Sequence, residues 1–272
     1  GIDIFLSKVV GVIYKVENGR LEEVKYETNK PLIEKNFVTQ FSEIELEIWT
    51  NIFRQIKEIE MATKLLEKFD LDFLFLNGSV LPHYVDIISS NLEENRKKLF
   101  EKYKKVFESV KKRKTILAGI IEDSRGKRFC EILASSLEME KTLRLTLENS
   151  RDVSILDYAL EKFERTPAFY YSKNVYPFDW KEFLSFYIKV SSFDSPLRID
   201  FLADKGNVAE KISKVLINLT TSEEYSMPSI LIEADQRARI KEVEMEDFYN
   251  FLIGKLGFIS SLKLKRRERR PF

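Results

Sequence analysis

Asp72-Phe73-Leu74-Phe75-Leu76-Asn77-Gly78-Ser79-Val80-Leu81-Pro82 is the stretch from which the fold is read. Asp72 to Leu76 is a short apolar run, the pattern of a buried strand when turn formers bound it. Asn77-Gly78-Ser79 ends the strand, because glycine allows the chain to bend sharply.

Working upstream, Ser42 is placed to cap a long helix running to about Phe69. Ile48, Ile52, Ile56 and Ile59 form its apolar stripe at helical spacing. Before it, residues 2 to 6 read as a short buried strand carrying one acid, Asp3. Val9 to Val16 follows as a second strand. Asn18-Gly19 tolerates the positive φ of a type I′ turn, and Arg20 to Tyr26 returns as a third strand. The chain is therefore expected to open with a three-stranded meander.

Downstream, Asn91 is placed to cap a helix whose inner face carries Leu92, Leu99, Tyr103, Val106 and Val110. Thr115 to Ile121 is a further buried strand, ending in the polar turn Glu122-Asp123-Ser124-Arg125-Gly126. Residues 127 to 173 mix short helical patterns with turns. Phe183 to Val190 and Leu197 to Leu202 read as strands. Val208 to Leu219, the segment after Pro228 and Val243 to Leu256 read as helices. Strands first, then strands alternating with helices, predict an α/β fold with a mixed β-sheet flanked by helices and carrying helical insertions. Residues 1–260 are assigned to one domain and 261–272 to a basic C-terminal tail.

Charged residues make up 33% of the chain and apolar residues 44%, as in soluble globular proteins. Lys and Glu are abundant while His and Cys are scarce, a bias found in proteins from hot environments. The single Cys130 excludes an intrachain disulfide framework and a Cys-rich zinc site. It is compatible with a reducing cytoplasm, where the chain is expected to reside. No stretch approaches the length of a membrane helix. The chain opens Gly1-Ile2-Asp3 without a Met, as a trimmed front or a tag remnant would.

The net charge of +1 argues against a uniformly basic surface. Two local clusters stand out, Lys97 to Lys114 and Lys263 to Arg270. Each reads equally well as a phosphate track and as a solvated face or tail. The lone His83 fits a loop or wall position better than a general acid/base. Cys130, among Phe129, Ile132 and Leu133, fits the core. The aromatic run Phe169-Tyr170-Tyr171 with Tyr176, Phe178 and Trp180 fits packing better than stacking on unpaired bases. No phosphate-cradling P-loop occurs, so the chain carries no ATPase motor of its own.

Phosphodiester hydrolysis by metal-activated water needs carboxylates converging from different elements around one or two hard ions. Four positions suit that requirement. Asp3 lies in an otherwise apolar strand, where an uncompensated acid is costly. Glu60 lies beside the stripe of the long helix, Asn77 at a strand end, and Asp235 on a late helix between Ala234 and Ala238. Taken singly, the last three also read as a surface acid, a turn residue and a salt-bridge partner.

The order of the segments resembles the NurA nuclease family. The similarity is carried by Ile2-Asp3, Ile59-Glu60-Met61-Ala62, Phe75-Leu76-Asn77-Gly78-Ser79, Ile121-Glu122-Asp123-Ser124-Arg125, Pro196-Leu197-Arg198-Ile199-Asp200 and Ile232-Glu233-Ala234-Asp235-Gln236-Arg237-Ala238-Arg239-Ile240. Glu60 and Asn77 stand seventeen residues apart, which suits the family. Three departures are plain. Ile4-Phe5 replaces Gly-Ser after the first acid, Asn77 stands where the family has Asp, and Glu122 where it commonly has Lys.

The resemblance implies an RNase H-like fold and a DNA nuclease of 5′–3′ exonuclease and single-strand endonuclease type. Asp3, Glu60, Asn77 and Asp235 would be the catalytic and metal-binding residues, with Mn²⁺ or Mg²⁺ as cofactor. It further implies a homodimer that acts on DNA ends in recombinational repair with a HerA-type hexameric helicase or translocase. Asn77 keeps a second implication open, a catalytically silent relative that binds DNA or regulates the helicase.

Overall fold

The computed structural model describes residues 2–18, 20–28, 32–37, 41–82, 92–138, 140–172, 177–203 and 206–256; for residues 2–4, 32–37 and 256 it describes the backbone path alone. The chain runs β1 (Ile2–Ser7), β2 (Val10–Glu17), β3 (Arg20–Thr28), β4 (Leu32–Phe37), α1 (Glu43–Lys68), β5 (Phe73–Asn77), α2 (Glu93–Arg113) and β6 (Ile116–Ile121). Then come α3 (Arg128–Ser136), α4 (Lys141–Asn149), α5 (Asp152–Ala159), β7 (Phe183–Ile188), β8 (Leu197–Leu202), α6 (Val208–Leu219), α7 (Ser229–Ala238) and α8 (Glu242–Leu256).

The central sheet has the order β5-β6-β8-β7. β5 and β6 are parallel, and the other two pairings are antiparallel. Alternation along the strands sends side chains to two helical layers. Leu74, Leu117, Phe183 and Leu202 join Ile59, Ala62 and Leu66 of α1 and Leu99, Tyr103, Val106 and Val110 of α2. Ala118, Ile120, Phe186, Ile188, Ile199 and Phe201 join Val208, Ile212 and Leu216 of α6 and Leu231 of α7. The result is the expected mixed sheet flanked by helices, with helices on both faces.

The longest helix starts where its capping chemistry says it should. Ser42 Oγ accepts from the Glu45 amide and the Glu45 carboxylate accepts from the Ser42 amide, a reciprocal capping box worth about 1 kcal/mol. Phe69 caps its other end. Among the described residues no helix is long and apolar enough to cross a membrane.

The opening meander is not formed. β1 pairs with β4, with Asp3 opposite Asn36, and β2 pairs with β3 as a separate two-stranded ribbon. Asn18 takes the left-handed conformation that the two-residue turn demands. Instead of pairing with β1, β2 lies against α1. Gly11 fits there because a Cβ would stand 2.5 Å from the Leu65 side chain. Asn91, His83, Gly19, Tyr176 and the C-terminal basic cluster lie outside the described residues.

Candidate active site

β5 is the edge strand of the central sheet, so its outer flank is not covered by another strand of that sheet. α1 covers one side of this edge and α7 the other, while β2 closes across. Between them is an open cavity of about 1590 Å³. Asn77, at the C-terminal end of β5, is exposed and lines it. By strand alternation Asn77 shares the face of Phe73 and Phe75, the side on which α7 packs.

Asp235 of α7 lines the same cavity and makes a loose 3.6 Å contact with Arg239. From α1 the lining acid is Glu58, bonded at 2.6 Å to Arg54. Protein crowds the Glu58 carboxyl, and that desolvation pushes its pKa up against the opposing pull of Arg54. Lys8, Lys15, Arg54, Lys114 and Lys211 also line the cavity, as do the acids Asp70 and Asp72.

Glu60 is placed elsewhere. Its two oxygens accept from Lys57 at 3.1 Å and from Lys102 of α2 at 3.0 Å. Burial alone would raise its carboxyl, but the bonds from Lys102 and Lys57 outweigh that and hold it below the usual range. Glu60 is not among the residues lining the cavity. The side chain of Asp3 lies outside the described residues.

The donors facing the cavity do not by themselves fit a divalent ion. Among the described residues no three acids, histidines or cysteines gather closely enough to hold one. Asn77 offers a neutral carbonyl where a hard ion favours a charged oxygen. Glu122, at the end of β6, accepts from the Tyr225 hydroxyl at 3.1 Å. Its pKa is raised, first by burial and further by the negative charges of Asp123, Asp194 and Asp235. It too is not among the residues lining the cavity.

Two devices hold this site in shape. The first fixes α7. Arg237 donates to both oxygens of Glu23 on β3 at 2.9 and 2.7 Å, and to Glu233 at 2.6 Å. Its guanidinium also lies 4.5 Å over the Tyr26 ring. The helix bearing Asp235 is thereby tied to the β2–β3 ribbon.

The second fixes the turn after Asn77. Gly78, at φ +123°, continues the ladder by donating to the Ile120 carbonyl at 2.9 Å. The turn then crosses directly over Gly119, where a Cβ would meet the Gly78 carbonyl at 2.2 Å. Ser79 Oγ accepts from the Leu81 amide at 3.1 Å and donates to Asp200 Oδ2 at 2.7 Å.

Asp200 is part of a buried polar chain. Its Oδ1 accepts from Ser185 Oγ at 2.7 Å, and Arg198 Nε and Nη2 donate to its two oxygens at 3.1 and 3.2 Å. Arg198 Nη1 reaches Ser124 Oγ at 3.1 Å, and the guanidinium lies 4.1 Å over Tyr171. Ser124 meets the Tyr187 hydroxyl at 3.1 Å, which donates to Asp152 at 2.9 Å. Asp152 also accepts from the amides of Phe129 and Cys130. Burying these groups without partners would cost several kcal/mol, about 1–3 for each neutral one.

The aromatic run is packing. Phe169 stacks on Tyr187 and meets Phe129 at a tilt, and Tyr170 meets Trp180 edge-on at 4.9 Å. On α2, Lys97, Lys98, Lys102 and Lys111 are each paired with an acid. Cys130 is fully buried, and desolvation pushes its thiol up to about 12.

Sequence reasoning did not single out Glu58, which lines the cavity, or Asp200, which holds Ser79. Glu58 follows Arg54 at helical i+4 spacing, which reads as a surface pair. Arg198-Ile199-Asp200 carried a signal, because two opposite charges at i and i+2 share one face of a strand that is otherwise apolar.

Comparison with known proteins adds three findings. A search of curated proteins returns no match. The crystal structure of the NurA nuclease from Sulfolobus solfataricus superposes with a TM-score of 0.56 at 15% identity, covering 93% of this chain and 84% of that one. At that identity the likeness establishes a shared fold. The family profile described as NurA domain matches residues 6–240. The match spans most of the sequence, and the chain belongs to the NurA domain family.

Proposed function

We propose that the chain is a deoxyribonuclease of the NurA type, cutting DNA held in the cavity beside β5. The observation that carries this reading is that Asn77, Glu58 and Asp235, from three elements, line one open cavity within a chain of this family. Lys114 and Lys211 line it and supply positive charge that would draw a phosphate backbone inward, while Lys8 and Arg54 are paired with Glu244 and Glu58. Asn77 offers an amide donor to a phosphate oxygen. The raised Glu58 carboxyl is poised to take up a proton.

Mn²⁺ or Mg²⁺ is the cofactor this reading calls for, and such an ion would supply water activation and offset charge on the phosphate. Asp3 and Asp235 are the acids proposed for it. Glu60, the α1 acid that the resemblance implies for the ion, is held by two lysines, and Glu58 is the α1 acid that lines the cavity. The remaining features follow the family resemblance: a cytoplasmic homodimer, 5′–3′ exonuclease and single-strand endonuclease activity, and end resection in DNA repair with a HerA-type hexameric translocase.

Asn77 favours a second reading, a silent relative that binds DNA without cutting it. The deciding assay is cleavage of end-labelled single-stranded and duplex DNA with Mn²⁺, Mg²⁺ or chelator, alongside Asp3→Ala. Metal-dependent cutting abolished by Asp3→Ala supports the nuclease. Binding without cutting under every metal defeats it and leaves the silent relative.

A further inference from the structure

Leu76, Gly119, Asp200 and Ser185 are register partners across all four strands of the central sheet. Gly119 leaves the sheet bare at the second position of this row. The turn from Asn77 to Leu81 crosses there, and Asp200 reaches it from the neighbouring strand. Asp200 is 2% exposed, and its pair with Arg198 is buried. A buried ion pair is poor evidence for stability, since desolvation offsets most of its attraction. Of Asp200's side-chain hydrogen bonds among the described residues, one leaves strands β7 and β8, and it goes to Ser79 at 2.7 Å. Ser79 and Asn77 both line the cavity.

From this geometry we infer that Asp200 is a positioning residue for the proposed site: by holding Ser79 it sets the shape of the Asn77–Leu81 turn and so the direction of the Asn77 side chain. The inference rests on the nuclease reading for its kinetic consequence and on the hydrogen bonds alone for its structural one. Ser79 hydroxyl is committed on both sides, accepting from Leu81 and donating to Asp200. Losing it frees the turn while Arg198 and Ser185 keep the carboxylate in place.

The test compares Ser79→Ala with Ser185→Ala in the full chain. Each removes one hydroxyl from the same carboxylate, and Ser185 has no part in the turn. Two quantities are read: amide exchange of the peptide covering residues 73–82, and kcat and KM for single-stranded DNA. Ser79→Ala is expected to speed exchange in that peptide about tenfold and to lower kcat by about tenfold or more with KM within about twofold, since misplacing a reacting group by ~1 Å costs up to ~10²-fold. Ser79→Thr is expected to restore both.

Ser185→Ala is expected to lower Tm while leaving exchange at the turn and kcat unchanged. Asp200→Asn is expected to loosen the turn as Ser79→Ala does; if it fails to fold with Arg198 unpaired, the serine variants decide. Equal effects of Ser79→Ala and Ser185→Ala on exchange overturn the inference. So does faster exchange with an unchanged kcat. Should the wild-type chain cut nothing with any cation, the nuclease reading falls, and the contrast in exchange between the two serine variants still decides whether Asp200 sets the turn.

Discussion

Glu58 and Glu60 lie two residues apart on α1 and face different neighbours: Glu58 lines the cavity that Asn77 and Asp235 also line, while Glu60 is held between Lys57 and Lys102. Residues at i and i+2 on a helix are about 200° apart, so one phase serves the site and the other the α1–α2 seam. Glu58→Gln is expected to lower DNA cleavage about a hundredfold, the scale of losing one proton-transfer group. Glu60→Gln is expected to act on stability, by under about 1 kcal/mol, because its pairs are partly exposed. Cleavage rates of the two variants side by side check this; a larger loss in Glu60→Gln would return the role to Glu60.

The same carboxyl carries a pH signature. Burial raises Glu58 above the ordinary carboxylate value. The folded state therefore holds the proton longer than the unfolded state, and the stability this lends is lost as pH rises through the folded value. Glu58→Gln stays neutral throughout. Its Tm should equal or exceed that of wild type at neutral pH, and the difference should close on acidification below the ordinary Glu value. A difference that grows on acidification would contradict the assignment.

Glu27 predicts the opposite trend. It sits among Lys25, Lys64 and Lys68, and the bonds from Lys64 and Lys68 lower its pKa to about 2. Its contribution is present above the ordinary Glu value and is lost as pH falls towards about 2. Thermal melts of Glu27→Gln should show a deficit at pH 7 that shrinks steadily between the two values. A deficit unchanged at low pH would mean that packing and not charge is responsible.

Asn77→Asp adds the charge that the strand end lacks. In the cavity that Asp235 and Glu58 also line, it should strengthen Mn²⁺ binding about tenfold or more, read by calorimetry, and raise cleavage in parallel. No change in either would show that the wall of the cavity is not where the ion sits.

Gly119→Ala tests the crossing of the turn. The new methyl would stand 2.2 Å from the Gly78 carbonyl and 2.7 Å from the Val80 amide, both backbone atoms that cannot swing aside. The expected cost is about 2 kcal/mol or more, measured by denaturant unfolding. A cost near zero would mean that the turn does not pass there.

Much of this architecture was legible in residue order. Ser42 and Glu45 mark the start of α1, and Leu99, Tyr103, Val106 and Val110 give the buried face of α2 through their period. The four strands of the central sheet are apolar runs and read cleanly. The opening strands did not, because hydrophobic alternation tells a strand from a helix without naming its partner, and β1 pairs with β4 rather than β2. That Glu58 lines the cavity and Glu60 does not was hidden for a different reason. α1 is buried on two sides, against α2 and against β2, so its apolar stripe is too broad to leave one polar face. The partnership of Ser79 with Asp200 spans 121 residues of sequence and leaves no local trace.

Arg237 gives the β2–β3 ribbon a mechanical meaning. Its fork on Glu23 and its seat on Tyr26 couple the hairpin rigidly to α7. The helix of Asp235 and the turn after Asn77 thus rest on different supports, the hairpin through Arg237 for the first and Asp200 of the sheet through Ser79 for the second.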